Sequence, residues 1–149
     1  MPVILALSAC AGPDPLGQPP PVSPDVRGLL DAITAESNLI YLYNATMSRY
    51  STLSSVLRPL LAEHDAHLAQ LRTRIIEPPG KSAKIKASVR PRVQGSERAA
   101  ITTVRLAERS AVTAQLHRLA TAAPDLAQLY ASIAASEATH AAVLAGIGD

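Results

Sequence analysis

The chain has no phenylalanine and no tryptophan, a single cysteine, and a net charge of only +2 over 149 residues. Each shortage excludes something. A β-sandwich would want more aromatic side chains, whereas a core assembled from Leu, Ile, Val and Ala favours helices packed closely together. With one thiol there can be neither a zinc ribbon nor a thiol redox pair. The small net charge, and the lack of aromatics interleaved with a basic stripe, argue against nucleic acid as a partner. Neither a glycine-rich phosphate loop nor a G-x-S-x-G nucleophile pattern occurs. The length suits one domain with one core.

What is there begins with an address and a tether. Val3 to Leu7 is a short apolar run ending in Leu7-Ser8-Ala9-Cys10, which resembles the bacterial lipobox, where a signal peptidase cuts before a cysteine whose thiol then carries the lipid. The run is shorter than the roughly 7–15 residues of a signal-peptide core and no Lys or Arg precedes it, so residues 1–10 read as a truncated signal segment. Residues 11–23 follow as a tether, with six prolines among positions 11–24 and no apolar periodicity. At roughly 3.1 Å per residue such a spacer would hold a domain about 40 Å from a membrane surface. A lipidated Cys10 would place the protein in the cell envelope, on the extracytoplasmic face of the membrane. A frayed apolar tail with an incidental thiol would leave it cytoplasmic.

Residues 24–149 carry four helical patterns. Ser23-Pro24-Asp25 offers an N-cap, a proline at the first helical position and an acid for the helix dipole, and apolar residues recur at Val26, Leu29, Ile33, Ile40, Tyr43 and Met47. A second helix is expected from about Ser51 to Glu77, with Leu53, Val56, Leu60, Leu68, Leu71 and Ile75 inward and Pro78-Pro79-Gly80 ending it. The third runs from Ser96 to about Ala122 through Ile101, Val104, Ala111, Gln115 and Leu119. Pro124-Asp125 opens the fourth, whose stripe is Leu126, Leu129, Ile133, Leu144 and Ile147.

Each stripe is interrupted at its midpoint by ionisable residues: Glu36 in the first helix, His64 and His67 in the second with Glu63 at the edge, Glu108 in the third, and Glu137 and His140 in the fourth. Glu137-Ala138-Thr139-His140 places a carboxylate and an imidazole one turn apart on one side of a helix. Each interruption lies about 18–20 Å from its helix end, so the four meet in one layer. Carboxylates and imidazoles converging inside an apolar bundle are the makings of a buried metal site, and oxygen and nitrogen donors without thiolate suit Fe or Mn, with Zn as a further choice. The same groups could instead pair with one another and fix helix register without a ligand.

The connections select a topology. Links one-to-two and three-to-four are short, but residues 78–95 exceed the 2–8 residues normal between bundle helices. Fully extended, that segment spans about 60 Å, enough to run the length of the bundle as a crossover between two helical hairpins.

From about Val26 to Gly148 the chain resembles the ferritin-like superfamily. Its di-iron members use one Glu from each of two helices and a Glu-x-x-His from each of the other two. Glu36 and Glu108 match the single acids and Glu137 with His140 matches one motif; in the other, His67 matches the histidine while His64 stands where the carboxylate would be. The resemblance implies an all-α, ferritin-like four-helix bundle with a long crossover between helices two and three, and a metal site that is dinuclear, mononuclear or lost. Any catalysis would be that of a non-haem iron or manganese oxidoreductase. More narrowly, the Ala-rich helices, the AEHDAHLAQL segment and the tethering cysteine resemble a family of ferritin-like proteins from actinobacteria.

Two further features bear on partners. Helix four is apolar nearly all round, which points to a homodimer or a hetero-partner at the face bearing Ala127, Ala131, Ala134 and Ala138. The crossover carries Lys81, Lys84, Lys86, Arg90 and Arg92 without an acid, a run suited to anionic headgroups, a partner or plain solvation. The rival to a metal protein is a metal-free bundle lipoprotein serving as a binding or scaffold module.

Overall fold

The computed structural model describes residues 23–75 and 92–148, all helical or in short connections, with no strand among them. Cys10, the proline tether and the crossover residues Lys81, Lys84, Lys86 and Arg90 lie outside the described residues.

The described residues form four α-helices: α1 (Pro24–Arg49), α2 (Ser54–Thr73), α3 (Glu97–Leu119) and α4 (Pro124–Gly148). The starts of α1 and α3 fall where the sequence anticipates, and both are capped. Ser23 Oγ accepts from the Val26 N–H at 3.2 Å, and Ser96 Oγ from the Ala99 N–H at 3.2 Å, so each serine satisfies an amide with no partner inside its helix. α2 departs from expectation at both ends. The chain enters it through a 3-10 turn at Ser51–Leu53, and the α-helix stops at Thr73, with Arg74 and Ile75 closing the last turn by short-range bonds to Leu71 and Arg72. Pro59 lies inside α2 and removes one N–H from its ladder.

Two apolar clusters fix the helix directions. At one end Leu29, Ala32 and Ile33 of early α1 pack with Leu71 of late α2 and with Leu126, Leu129, Tyr130 and Ile133 of early α4, and Leu119 of late α3 lies against them. At the other end Leu42 and Tyr43 of late α1 join Leu53, Leu57 and Leu60, Ile101 and Val104 of early α3, and Leu144 of late α4. α1 is therefore antiparallel to α2 and α3 and parallel to α4. Because α2 finishes at the first end and α3 starts at the second, the connection from Ile75 to Arg92 links opposite ends, about 35 Å apart for a helix of this length. This is the long crossover read from the sequence.

Side-chain bonds reinforce both ends. The Thr52 hydroxyl donates to Glu97 Oε1 at 2.6 Å and the Tyr50 hydroxyl to the Gln94 carbonyl at 2.8 Å, while Arg74 and Asp125 pair at 3.6 Å at the opposite end. The inward faces match the expected stripes except for small rotations. Leu39 and Leu42 are buried where Ile40 is half-buried, and Leu57 takes the place expected of Val56. On α4, Ala134 is buried, Ala127 half-buried, and Ala131, Ala138 and Ile147 are exposed. Among the described residues no helix is long and apolar enough to cross a membrane.

Candidate metal centre

Between the two apolar clusters lies a polar waist to which all four helices contribute. Glu36, His64, Glu108, Glu137 and His140 are fully or almost fully buried, and the side chain of His67 is 11 % exposed. All six residues singled out in the sequence thus reach the interior, and four of them, Glu36, His64, Glu108 and His140, join in one hydrogen-bonded network.

His64 is its centre. Its Nδ1 lies 2.9 Å from Glu36 Oε2 and its Nε2 lies 2.8 Å from Glu108 Oε1. A doubly protonated ring donates to both carboxylates at once. Burial alone would lower the proton affinity of this imidazole, but the bonds to Glu108 and Glu36 outweigh it and lift the pKa from 6.5 to about 10. Burial likewise pushes the two carboxyls up, and their histidine partners overcome it: Glu36 falls below its ordinary value and Glu108 drops to about 2. The Tyr43 hydroxyl also donates to Glu108 Oε1, and burial together with that carboxylate holds the phenol strongly in its protonated form.

His140 approaches from the other side. Its Nδ1 is 3.3 Å from His64 Nε2 and 3.5 Å from Glu108 Oε1, while its Nε2 is 3.1 Å from Glu63 Oε2. Glu63 Oε2 also accepts from the Ser136 hydroxyl at 2.6 Å. These bonds hold the Glu63 carboxyl below its ordinary range. With a proton on Nε2 donated to Glu63, the Nδ1 lone pair of His140 points into the waist, the tautomer a metal ligand needs. His67 Nδ1 faces Glu36 Oε1 across 3.6 Å, too far for a hydrogen bond.

Two donor sets emerge, Glu36 with His64 and His67, and His64 with Glu108 and His140, each with its ligand atoms within 4.8 Å of one another. Both consist of two imidazoles and one carboxylate. Two donors held about 2.1 Å from one cation at right-angled to tetrahedral separations stand roughly 3.0–3.4 Å apart. The second set measures 2.8, 3.3 and 3.5 Å, close to that requirement. These buried groups could hold a metal ion.

Glu137 belongs to neither set. It is fully buried, and neither of its carboxylate oxygens has a hydrogen-bond partner among the described residues. Burial, followed by the charges of Glu36 and Glu108, raises its pKa to about 8, so at neutral pH it is mostly protonated. Glu36 Oε1, Glu108 Oε2 and His67 Nδ1 are also buried and unpartnered. Five orphaned donor atoms in one layer are costly unless something satisfies them.

Two contributors exceed what the sequence reading assigned. Tyr43 reads as a packing residue on the apolar stripe, and only the fold reveals its bond to Glu108. Glu63 reads as an edge residue of the stripe, and its side chain reaches along the α2–α4 seam to His140. Its position beside His64 was the available signal. Tyr41 is exposed, Tyr50 sits at the bundle end, and Tyr130 is buried in the apolar cluster away from the waist.

Comparison of the chain with protein-family models, curated proteins and solved structures returns no match.

Proposed function

We propose that this protein is a ferritin-like metal protein of the cell envelope, whose waist binds Fe or Mn for redox chemistry. The observation that carries the reading is the pairing of two buried sets of two imidazoles and one carboxylate with five orphaned donor atoms in the same layer. Two histidines and a carboxylate leave open positions on an iron(II) ion and favour dioxygen or peroxide chemistry. The crossover topology and the positions of Glu36, Glu108, His67 and His140 support kinship with the ferritin-like proteins. The lipobox-like Leu7-Ser8-Ala9-Cys10 supports an envelope address, which radiolabelled fatty acid tests: label present in the wild type and equally present in Cys10→Ser would refute it.

Protein purified without chelator and reconstituted anaerobically with Fe(II) or Mn(II) should retain metal by elemental analysis. It should also gain about 2.7 kcal/mol of stability at a hundredfold excess of free metal over Kd, because the ligand binds only the folded state. Glu36→Gln and His140→Ala should each lower the amount of metal retained. Exposure of the Fe(II) form to oxygen or peroxide should change its absorbance.

A second reading rests on one specific contact. The His64 imidazolium held between Glu36 and Glu108 already forms a compensated ion triad, which could lock helix register in a metal-free binding or scaffold module. Absence of bound metal, with a melting temperature unmoved by metal or chelator, would favour this reading over the first.

A further inference from the structure

His64 is shared by both donor sets, and each of its nitrogens serves a different one. Nδ1 faces Glu36 and Nε2 faces Glu108 and His140. Each N–H of the imidazolium therefore lies where a cation could stand, flanked by one carboxylate and one further imidazole. We propose that His64 bridges two metal ions as an imidazolate, joining a Glu36–His67 site to a Glu108–His140 site. The inference rests on the metal reading above and deepens it.

The chemistry follows from the donors. Loading two divalent cations displaces both ring protons of His64 and the carboxyl proton of Glu137, which pass to the buffer, and no oxidant or reductant is required. Imidazolate together with ionised Glu36, Glu108 and Glu137 carries four negative charges against the four positive charges of the cations, so the filled layer is neutral, which a buried layer requires. Glu137 lies in the same layer, and neither of its carboxylate oxygens has a hydrogen-bond partner among the described residues. A bridging imidazolate sets its two metals about 6 Å apart, given metal–nitrogen bonds near 2.0–2.1 Å on either side of the ring. Carboxylate-bridged pairs sit at about 3.5–4 Å. The carboxylates here do not favour the shorter spacing, because Glu36 and Glu108 bind opposite nitrogens of the ring.

Copper(II) is the probe, added to the full-length chain with the Cys10 thiol alkylated, and read by stoichiometry and electron paramagnetic resonance. Wild type should take up two equivalents and show an exchange-coupled pair with a half-field transition. His67→Leu and His140→Leu should each retain one equivalent with an ordinary isolated copper spectrum. His64→Gln should lose both tight equivalents, each weakening at least tenfold. Two equivalents with uncoupled spectra in the wild type would overturn the bridge, as would a single equivalent, or a His64→Gln protein that still binds two. Those outcomes leave the metal reading standing, whereas uptake of no copper, iron or manganese at all would remove both. If His64→Gln fails to fold, the wild-type spectrum alone decides.

Discussion

The ends of the bundle are filled with Leu, Ile, Val and Tyr from all four helices, whereas its middle turns six ionisable side chains toward one another. The ends bury apolar surface, each large aliphatic side chain contributing about 1.5–3 kcal/mol. The middle spends desolvation on five buried charged or chargeable groups and leaves several of their atoms without partners. A protein selected for stability alone would continue the aliphatic core through the centre. The contrast places folding in the two clusters and makes the layer between them the candidate for function.

The sharpest way to break that division is to cut each region in turn. Ile33→Ala at one end and Leu57→Ala at the other remove fully buried side chains and should each cost about 2–5 kcal/mol in urea denaturation. In metal-free protein Glu137→Gln should cost nothing or stabilise, because it replaces a buried carboxyl whose oxygens are unpartnered. In metal-loaded protein the same change should weaken binding. A Glu137→Gln loss as large as the alanine losses would show that the waist holds the fold.

Titration should separate the regions less dramatically, since the ends carry few ionisable groups. His64, raised from 6.5 to about 10, contributes stability that is fully present below 6.5 and is lost as pH climbs through about 10. Glu137, raised from 4.5 to about 8, contributes support that is fully present below 4.5 and is lost as pH rises through about 8. Glu36 and Glu108, both lowered, contribute above their ordinary values and fail as pH falls, Glu108 only toward about 2. Metal-free protein should therefore be most stable at about pH 5 and lose melting temperature steadily toward pH 9. Metal binding displaces protons and strengthens as pH rises, so the loaded protein should hold its melting temperature over that range. Parallel curves for the two forms would mean that the cation does not replace these protons.

Much of this arrangement was legible in the sequence, and what was not has physical reasons. Ser23, Ser96 and Pro124 marked helix starts because caps are local chemistry, and the length of residues 78–95 allowed a crossover where a short link could not join opposite ends. Helical periodicity brought Glu36, His64, His67, Glu108, Glu137 and His140 to the interior. It fixed each face only to within a residue, since one step turns the helix by about 100°, and so Leu57 and Leu39 took places expected of Val56 and Ile40. Which side chains meet across helices is a matter of pairing, invisible to a stripe. The bond from Tyr43 to Glu108, the double role of the His64 ring and the exclusion of Glu137 from both donor sets all belong to that class.

The smallest expected effect tests whether the waist extends beyond its buried layer. Glu63 is 55 % exposed, yet its Oε2 lies 3.1 Å from His140 Nε2 and 2.6 Å from the Ser136 hydroxyl. A carboxylate on the remote nitrogen of a ligating histidine fixes the ring's tautomer and orientation, and removing it typically weakens metal binding about 10–100-fold. Glu63→Ala should thus lower affinity at the Glu108–His140 side by about tenfold, read by competition with a chromophoric chelator, while stability of the metal-free protein moves by no more than about 0.5 kcal/mol, as at most exposed positions. Glu63→Gln should restore most of the affinity, because its amide oxygen can still accept from His140 Nε2. If alanine leaves affinity unchanged, Glu63 is a solvated rim residue and the functional region ends at the buried layer. If alanine instead costs several kcal/mol without metal, the seam between α2 and α4 depends on Glu63, and the boundary between the structural ends and the functional waist is misplaced.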